Sequence, residues 1–183
     1  MAASNIQNKM YGNAYFDRRL EEGRRAAEAI VPLLVDLARP QSVVDVGCGS
    51  GSWLEAFMNR GLKDLIGVDG DYVDRSSLPF GPERFIAADL FHPLAFDRSF
   101  SLALCLEVGE HLPDHRAAGL VKDLTRLAPV VAFSAAIPHQ GGTGHVNEQW
   151  PSYWASLFAA EKFAAFDCIR PQVWEAKIPF WYA

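Results

Sequence analysis

Short apolar runs alternate with amphipathic stretches along this chain, which predicts strands that alternate with helices. In the first amphipathic stretch, residues 14–38, apolar side chains recur at helical spacing between Arg and Glu. Pro32 would either kink this predicted helix or begin a second one, and Pro40 ends it. Residues 114–127 and 152–163 show the same spacing, and each predicts a further helix.

Five short apolar runs bounded by Gly, Pro or Asp predict β-strands. They lie in the segments SVVDV, LIGVDG, ERFIAADL, FSLALCLE and PVVAFSAAI. The continuous apolar character of FSLALCLE predicts a strand that is buried on both faces. The segment AFDCI and residues 175–182 predict two closing strands. Since strands and helices alternate, we expect βαβ units and a mainly parallel sheet with helices on both faces.

The composition is that of an ordered protein, with 183 residues, 50% hydrophobic residues and 21% charged residues. The net charge is −5 and no Lys/Arg cluster is longer than a pair, so we expect no nucleic-acid partner. The longest apolar stretch is far shorter than the roughly 20 residues of a membrane-spanning helix, so we expect no membrane partner. Three widely spaced cysteines, Cys48, Cys105 and Cys168, and the lack of an apolar signal segment indicate a cytoplasmic protein with reduced thiols.

A glycine-rich turn, DVGCGSG, follows the first predicted strand and precedes a helix. Glycine lets the backbone turn sharply and lets a ligand approach the main chain, and the helix that follows offers unpaired N–H groups. Taken alone, such a turn also fits a simple tight turn or a dinucleotide site. Asp45 lies two residues before the first glycine, where its carboxylate would repel a pyrophosphate and attract an ammonium group.

Two more acidic residues end the next two predicted strands. Asp69 can accept hydrogen bonds from two ribose hydroxyls, a feature that nicotinamide-dependent enzymes share. Asp89 can accept a hydrogen bond from an adenine amino group. Each Asp could instead be a helix cap or a turn former. Because the carboxyl ends of parallel strands share one edge of a sheet, we expect these residues to converge on one crevice.

In order and spacing, residues 45–51, Asp69, Asp89 and the segment LEVGEHLP resemble four successive motifs of class I S-adenosylmethionine-dependent methyltransferases. The match covers residues 43–113, and the E-V-x-E-H segment is common in the small-molecule branch of that superfamily. The resemblance implies an α/β, Rossmann-like three-layer sandwich. Its sheet would have seven strands and be mostly parallel, with an antiparallel last strand.

The resemblance also implies a single methyltransferase domain over residues 1–183, in which residues 1–40 form a helical segment that packs on or covers the cofactor site. The implied cofactor is S-adenosyl-L-methionine, and the product is S-adenosyl-L-homocysteine. Asp45 and the glycine-loop backbone would hold the methionine end, and Asp69 the ribose. The complete set of implied cofactor-binding residues is Asp45, Gly47, Cys48, Gly49, Gly51, Asp69, Gly70, Ala88, Asp89, Leu90, Glu107 and Val108.

Methyl transfer from a sulfonium is an in-line displacement of an activated group, so a base is needed only for a weakly acidic acceptor. His139 and His145 lie in a Gly-rich loop after the fifth predicted strand, and they are our candidate catalytic residues; the alternative is a solvated loop. We expect His111 to be structural. His139, His145 and Glu148 could also bind a metal, but Mg²⁺ prefers carboxylates and the ligand spacing is not tight. We therefore expect no functional metal.

The expected reaction is methylation of a small-molecule acceptor, on a hydroxyl of a saccharide or natural-product intermediate. One alternative is a catalytically silent S-adenosylmethionine-binding subunit. A second is an NAD-dependent oxidoreductase, which Asp45, Asp89 and the presence of Ser52 in place of a third pattern glycine disfavour. The aromatic segment 180–182 suggests a contact surface, consistent with a homodimer.

Overall fold

The computed structural model describes residues 13–176 and 178, with side chains from residue 21 onwards. Within these residues the strands are β1 (Ser42–Val46), β2 (Asp64–Asp69), β3 (Phe85–Ala87), β4 (Leu102–Leu106) and β5 (Val131–Ser134). The helices are α1 (Asn13–Ala38), α2 (Ser52–Asn59), α3 (Asp114–Leu127), α4 (Pro151–Ala160) and α5 (Arg170–Val173). Short 3₁₀ turns span Arg75–Ser77, Pro82–Arg84 and Gly109–His111.

The five strands form one parallel sheet in the order β3-β2-β1-β4-β5. β1 lies at the centre, and its Val44 pairs with Ile66 of β2 on one side and with Ala103 of β4 on the other. The direction of chain progression reverses between β1 and β4. In open α/β sheets this reversal opens a crevice at the carboxyl ends of the strands, where ligands bind.

Helices cover both faces of the sheet, which confirms the predicted three-layer arrangement. On one face α1 and α2 pack over the strands, and Leu54 and Phe57 of α2 are fully buried there. On the other face α3 and α4 pack over them, with Leu120 of α3 and Phe158 of α4 in the core. Burying apolar side chains on both faces stabilises the central strands, and Leu102 to Cys105 of β4 are indeed inaccessible, as their continuous apolar run predicts.

The first predicted helix is present and continues through Pro32 without a break into two helices. It packs along α2, the helix that follows the glycine-rich turn, and Nε of Arg24 donates to Oε2 of Glu55 at 3.1 Å. Residues 1–12 of the predicted N-terminal segment lie outside the described residues. No helix in the described part of the chain combines the length and the apolar character needed to span a bilayer.

The prediction of seven strands with an antiparallel last strand is wrong for the described residues, which form five strands, all parallel. The segment AFDCI is not a strand, because its apolar side chains find no buried face: Phe166 is 80% exposed. The helix α5 then begins at Arg170, with Pro171 in its first turn, where proline is well tolerated. Residues 175, 176 and 178 are not in a strand, and residues 177 and 179–183, with the aromatic segment, lie outside the described residues.

Candidate functional site

The glycine-rich turn between β1 and α2 requires glycine for two different reasons. Gly47, Gly49 and Gly51 have φ angles of 85°, 50° and 80°, in the left-handed region that favours glycine. A Cβ on Gly47 would lie 2.3 Å from a methyl carbon of Val108, so this turn packs directly against the residues that follow β4. A Cβ on Gly49 would meet no atom within 4 Å. The turn therefore leaves open space beside its backbone, where a ligand can approach.

Asp69 ends β2 and fastens this turn in place. Its Oδ2 accepts from the backbone N–H of Gly49 at 2.7 Å, and its Oδ1 accepts from the N–H of Gly70 at 2.7 Å. The hydroxyl of Tyr72, a residue that the sequence did not single out, also donates to Oδ1. Burial raises the pKa of Asp69, although these hydrogen bonds act in the opposite direction. Asp69 thus has a structural role in addition to its predicted position at the crevice.

Asp45 lies beside Asp69 with its side chain only 2% exposed. Within the described residues, its Oδ2 is buried without a hydrogen-bond partner. Burial first, and then the charge of Asp69, raise the pKa of Asp45 to about 8. A buried carboxylate without a partner is costly, and a cationic donor is its natural complement. Burial and the same two carboxylates also raise the pKa of Cys48, which keeps its thiol neutral under the turn.

The residues after β3 form a turn at the edge of the crevice. The backbone N–H of Ala88 donates to the carbonyl of Asp69 at 2.8 Å, which places Ala88 next to the end of β2. The side chain of Asp89 is 61% exposed, and its Oδ1 accepts from the N–H of Phe91 at 3.0 Å. The turn-forming alternative for Asp89 therefore has a contact in the structure, and its Oδ2 lies 3.7 Å from Nε2 of His92.

A buried ion pair on α3 holds this turn, and the sequence did not single it out. Arg116 and Asp123 are 6% and 5% exposed and form an ion pair with each other. Arg116 also donates to the carbonyl oxygens of Leu90 and His92, each at 2.9 Å. The available signal was their spacing, since both residues lie on the helix face that carries the buried Leu120. The ion pair therefore positions the backbone of Leu90, one of the predicted cofactor-binding residues.

Glu107 follows β4 directly, at the carboxyl edge of the sheet. Its φ is 56°, a left-handed value that is unusual for a residue other than glycine and that often marks functional sites. The conformation is held by its backbone N–H, which donates to the carbonyl and the hydroxyl of Ser134 at 3.1 and 3.2 Å. Nε2 of Gln140 reaches Oε2 of Glu107 at 3.5 Å. Val108, the next residue, packs against Gly47 of the glycine-rich turn, while the roles of Glu107 and Val108 beside the sulfonium stay predictions.

The two histidines predicted as catalytic candidates face different ways. The side chain of His145 is 10% exposed, and its Nδ1 donates to Oε1 of Glu148 at 2.9 Å. The residue His139 is exposed, and its backbone N–H donates to Oε2 of the same glutamate at 2.9 Å. Gly141 also donates to Glu148, at 2.8 Å. Glu148 therefore organises this loop, orients the His145 ring and leaves the His139 ring at the rim.

The same loop docks on the turn after β4. The backbone N–H groups of Val146 and Asn147 donate to the carbonyl of Glu110 at 2.8 and 3.1 Å. The rings of His111 and His145 consequently meet edge to face, with centroids 5.0 Å apart. Burial first, and then the charge of Glu107, raise the pKa of Glu110 above its usual range. Glu110 belongs to the E-V-x-E-H segment of the sequence, but its proximity to His145 arises only when the two loops meet.

A family model described as a methyltransferase domain matches residues 16–167 of this chain. Among solved structures, DesVI from Streptomyces venezuelae is 21% identical over 77% of this chain and 62% of its own, with a TM-score of 0.55. The sugar N-methyltransferase KedS8 from a Streptoalloteichus species is 24% identical over 65% of this chain and 51% of its own, with a TM-score of 0.51.

Magnesium protoporphyrin IX methyltransferase from Synechocystis, solved with bound S-adenosylhomocysteine (SAH), is 17% identical over 89% of this chain and 85% of its own, with a TM-score of 0.57. The matched part of this chain covers about three fifths of the length of DesVI and about half of the length of KedS8. At such identities these likenesses show the fold alone. No curated protein sequence matches the chain. The predicted resemblance to methyltransferases is confirmed by the family match.

Proposed function

Because the chain belongs to the methyltransferase-domain family, we propose that it transfers a methyl group from S-adenosylmethionine to a small-molecule acceptor. The observation that carries this proposal is the buried carboxylate of Asp45. Its Oδ2 has no partner within the described residues, and it lies next to a glycine-rich turn with open space at Gly49. The ammonium group of an amino-acid ligand would satisfy that oxygen and restore the favourable charge balance of the site.

The other cofactor contacts follow from the geometry of the crevice. Asp45 and the N–H groups at the start of α2 would hold the two charged groups of the methionine end. Asp69, fixed by Gly49 and Gly70, would accept from the ribose hydroxyls. Ala88, Asp89 and Leu90 would frame the adenine. Glu107 and Val108 would lie beside the reacting carbon, and the bound cofactor would supply a methyl group already activated by its sulfonium.

For the acceptor we propose a hydroxyl of a saccharide or natural-product intermediate. The name of KedS8 describes a sugar N-methyltransferase, and that of the Synechocystis enzyme a porphyrin methyltransferase, both of which support a small-molecule acceptor. A hydroxyl must lose its proton as the new bond forms. We propose His145, which Glu148 orients and whose side chain is 10% exposed, as the group that acts on this hydroxyl, and His139 as a contact to the acceptor at the rim.

The first test is a calorimetric titration with S-adenosylhomocysteine. We expect Asp69→Asn to weaken binding by about 10- to 150-fold, since a charge-assisted acceptor contributes roughly 1.5–3 kcal/mol. Asn is chosen because it keeps the shape of the side chain and retains one oxygen as an acceptor for the Gly49 or the Gly70 N–H. Asp97→Asn, at an exposed position after the β3 turn, is the matched control and should bind like the wild type.

Transfer itself is tested with radiolabelled S-adenosylmethionine and a panel of hydroxylated acceptors. Label found on an acceptor, and absent with the Asp69→Asn variant at low cofactor concentration, is the expected result. Tight binding of S-adenosylhomocysteine with no transfer to any acceptor would favour the silent binding subunit. Binding of NADH in preference to S-adenosylhomocysteine would reject the proposal.

A further inference from the structure

We propose that Glu110, His111 and His145 form a binding site for one divalent first-row transition-metal ion, of the Zn²⁺ or Co²⁺ type. One potential ligand atom from each of the three side chains lies within 4.8 Å of the other two. A bound ion would lie about 2.0–2.2 Å from each nitrogen and oxygen, so in tetrahedral geometry neighbouring ligand atoms would be about 3.4 Å apart. Closing the site from separations of up to 4.8 Å therefore requires ligand atoms to approach one another by at most about 1.4 Å.

The three side chains come from two segments that the backbone fastens together. Glu110 and His111 belong to the 3₁₀ turn Gly109–His111 after β4, and His145 belongs to the loop after β5. The two N–H groups that follow His145 in this loop, those of residues 146 and 147, both donate to the carbonyl of Glu110. The ligand set is therefore held by the fold itself, which reduces the entropy lost when an ion binds.

The state of Glu110 points to a ligand rather than to packing. Its side chain is 1% exposed, and within the described residues its Oε2 is buried without a hydrogen-bond partner. Buried carboxylate oxygens are normally paired with a cation or with donors, because leaving them alone costs free energy. A metal ion bound to this oxygen and to the two neighbouring imidazoles would satisfy it.

The state of His145 is an independent indication. One ring nitrogen, Nδ1, donates to Glu148, and Glu148 is in turn held by the N–H groups of His139 and Gly141. A carboxylate on the second nitrogen of a histidine is the usual support of a metal-bound imidazole, because it fixes the ring and the tautomer. The arrangement leaves Nε2 of His145 as the nitrogen with an acceptor lone pair.

The donor set selects the kind of ion. Two imidazole nitrogens and one carboxylate suit Zn²⁺, Co²⁺ or Fe²⁺, whereas Mg²⁺ and Ca²⁺ prefer oxygen ligands. From the sequence we expected no functional metal, because His139, His145 and Glu148 make a poor ligand set for Mg²⁺. In the structure residue His139 is exposed and Glu148 supports His145, while Glu110 and His111 complete the set.

The position of the site gives the ion a role that rests on the proposed function. The same turn begins with Val108, which packs against Gly47, so the metal site adjoins the candidate cofactor crevice. Three protein ligands leave a coordination position open, as in catalytic metal sites. An acceptor hydroxyl bound there would lose its proton more readily, because the ion stabilises the alkoxide. With the ion bound, His145 would promote this proton loss as a ligand of the ion rather than as a free base.

Metal binding is tested directly, without a methyl acceptor. Protein freed of metal with a chelator is titrated with Zn²⁺ by calorimetry and with Co²⁺ by visible absorption. We expect one ion per chain in the wild type and no comparable binding of Mg²⁺. His111→Ala and His145→Ala should each weaken binding by more than about 100-fold, since loss of even a supporting residue costs about 10- to 100-fold. His115→Ala, an exposed histidine on α3, is the matched control and should bind like the wild type.

Glu148→Gln tests whether Glu148 positions the ring of His145. The substitution leaves all three metal ligands in place, and it should weaken metal binding by about 10- to 100-fold. If a thermal melt shows that a histidine variant is not folded, Glu110→Gln replaces it in the metal titration, because this substitution keeps the side-chain volume. Wild-type affinity in both histidine variants, or no Co²⁺ spectrum from the wild type, would overturn the metal site. S-adenosylhomocysteine titrations of the same proteins report on the proposed function separately, so either proposal can fail alone.

Discussion

Two neighbouring carboxylates, Asp45 and Asp69, dominate the electrostatics of the crevice at the residue scale. Both are buried, and both have a raised pKa, but only Asp69 has donors within the described residues that compensate for its burial. The difference assigns them different tasks. Asp69 holds the turn and presents a fixed acceptor, whereas Asp45 remains uncompensated until a cationic group arrives.

We predict that cofactor binding releases a proton from Asp45 near neutral pH. The pKa of Asp45 is raised to about 8, so at pH 7 its carboxyl is mostly protonated in the free protein. An ammonium ligand favours the ionised form, so affinity for S-adenosylhomocysteine should rise by up to about tenfold per pH unit between pH 6 and 8. Calorimetry in two buffers of different ionisation enthalpy measures the released protons.

The isosteric variant Asp45→Asn removes the titrating group and is the control for this linkage. It should bind more weakly, release fewer protons, and show a flatter dependence on pH. The same group destabilises the free folded protein as pH rises, because the folded state keeps a proton that the unfolded state loses above about pH 3.8. Identical proton release by wild type and variant would remove Asp45 from the ammonium site.

At this scale the sequence predicted residues whose role is local and overlooked residues whose role depends on tertiary contacts. Asp45 and Asp69 could be recognised because each lies in the last two residues of a strand and within two residues of a glycine, and strand ends share an edge in a parallel sheet. The E-V-x-E-H segment contains Glu110, but the link of Glu110 to His145 could not be predicted, since it depends on two loops that dock through backbone hydrogen bonds. His139 and His145 looked equivalent in sequence, and only the contacts of Glu148 distinguish them.

At the scale of elements, the turn from β1 to α2 is defined by close packing as much as by its dihedral angles. We predict that Gly47→Ala destabilises the protein by about 2–5 kcal/mol. Part of this, about 1–2 kcal/mol, is the cost of a left-handed alanine, and the rest comes from the contact of the new Cβ with Val108. Urea denaturation at constant m-value measures the change in the free energy of unfolding.

Gly61→Ala is the matched variant for Gly47→Ala. Gly61 follows α2 with a φ of 88°, but a Cβ there would meet nothing within 4 Å. It should therefore cost only about 1–2 kcal/mol and leave S-adenosylhomocysteine affinity unchanged. Equal destabilisation by the two substitutions would mean that packing against Val108 contributes little to the turn.

Among the correctly predicted strands, the clearest sequence signal belongs to those that are most buried in the final sheet. Residues 42–46 and 102–106 carry apolar side chains on both faces, so their pattern identifies them without reference to the rest of the fold. AFDCI is equally apolar, yet it became a connection to α5, because a strand also needs an edge to pair with and a layer to cover it. Neither requirement can be judged from five residues alone.

At the scale of the whole molecule, the crevice is built from elements of both helical layers. The turn into α2 belongs to the layer that contains α1, whereas the residues after β4 are followed by α3 in the opposite layer. Packing of Val108 at Gly47 joins the two layers at the carboxyl edge of the sheet. A ligand that bridges the crevice should therefore stabilise the complete fold rather than one loop.

We predict that S-adenosylhomocysteine at about 100 times its Kd stabilises the folded protein by roughly 2.7 kcal/mol, because the unfolded chain offers it no site. For a domain of this size, each kcal/mol raises Tm by about 2–4 °C, so a thermal melt should shift by roughly 5–11 °C. Asp69→Asn at the same ligand concentration should show a smaller shift, since less of it is saturated. NADH should produce none, because its pyrophosphate offers no cationic group to the buried carboxyl of Asp45. A larger shift with NADH than with S-adenosylhomocysteine would assign the crevice to a dinucleotide instead.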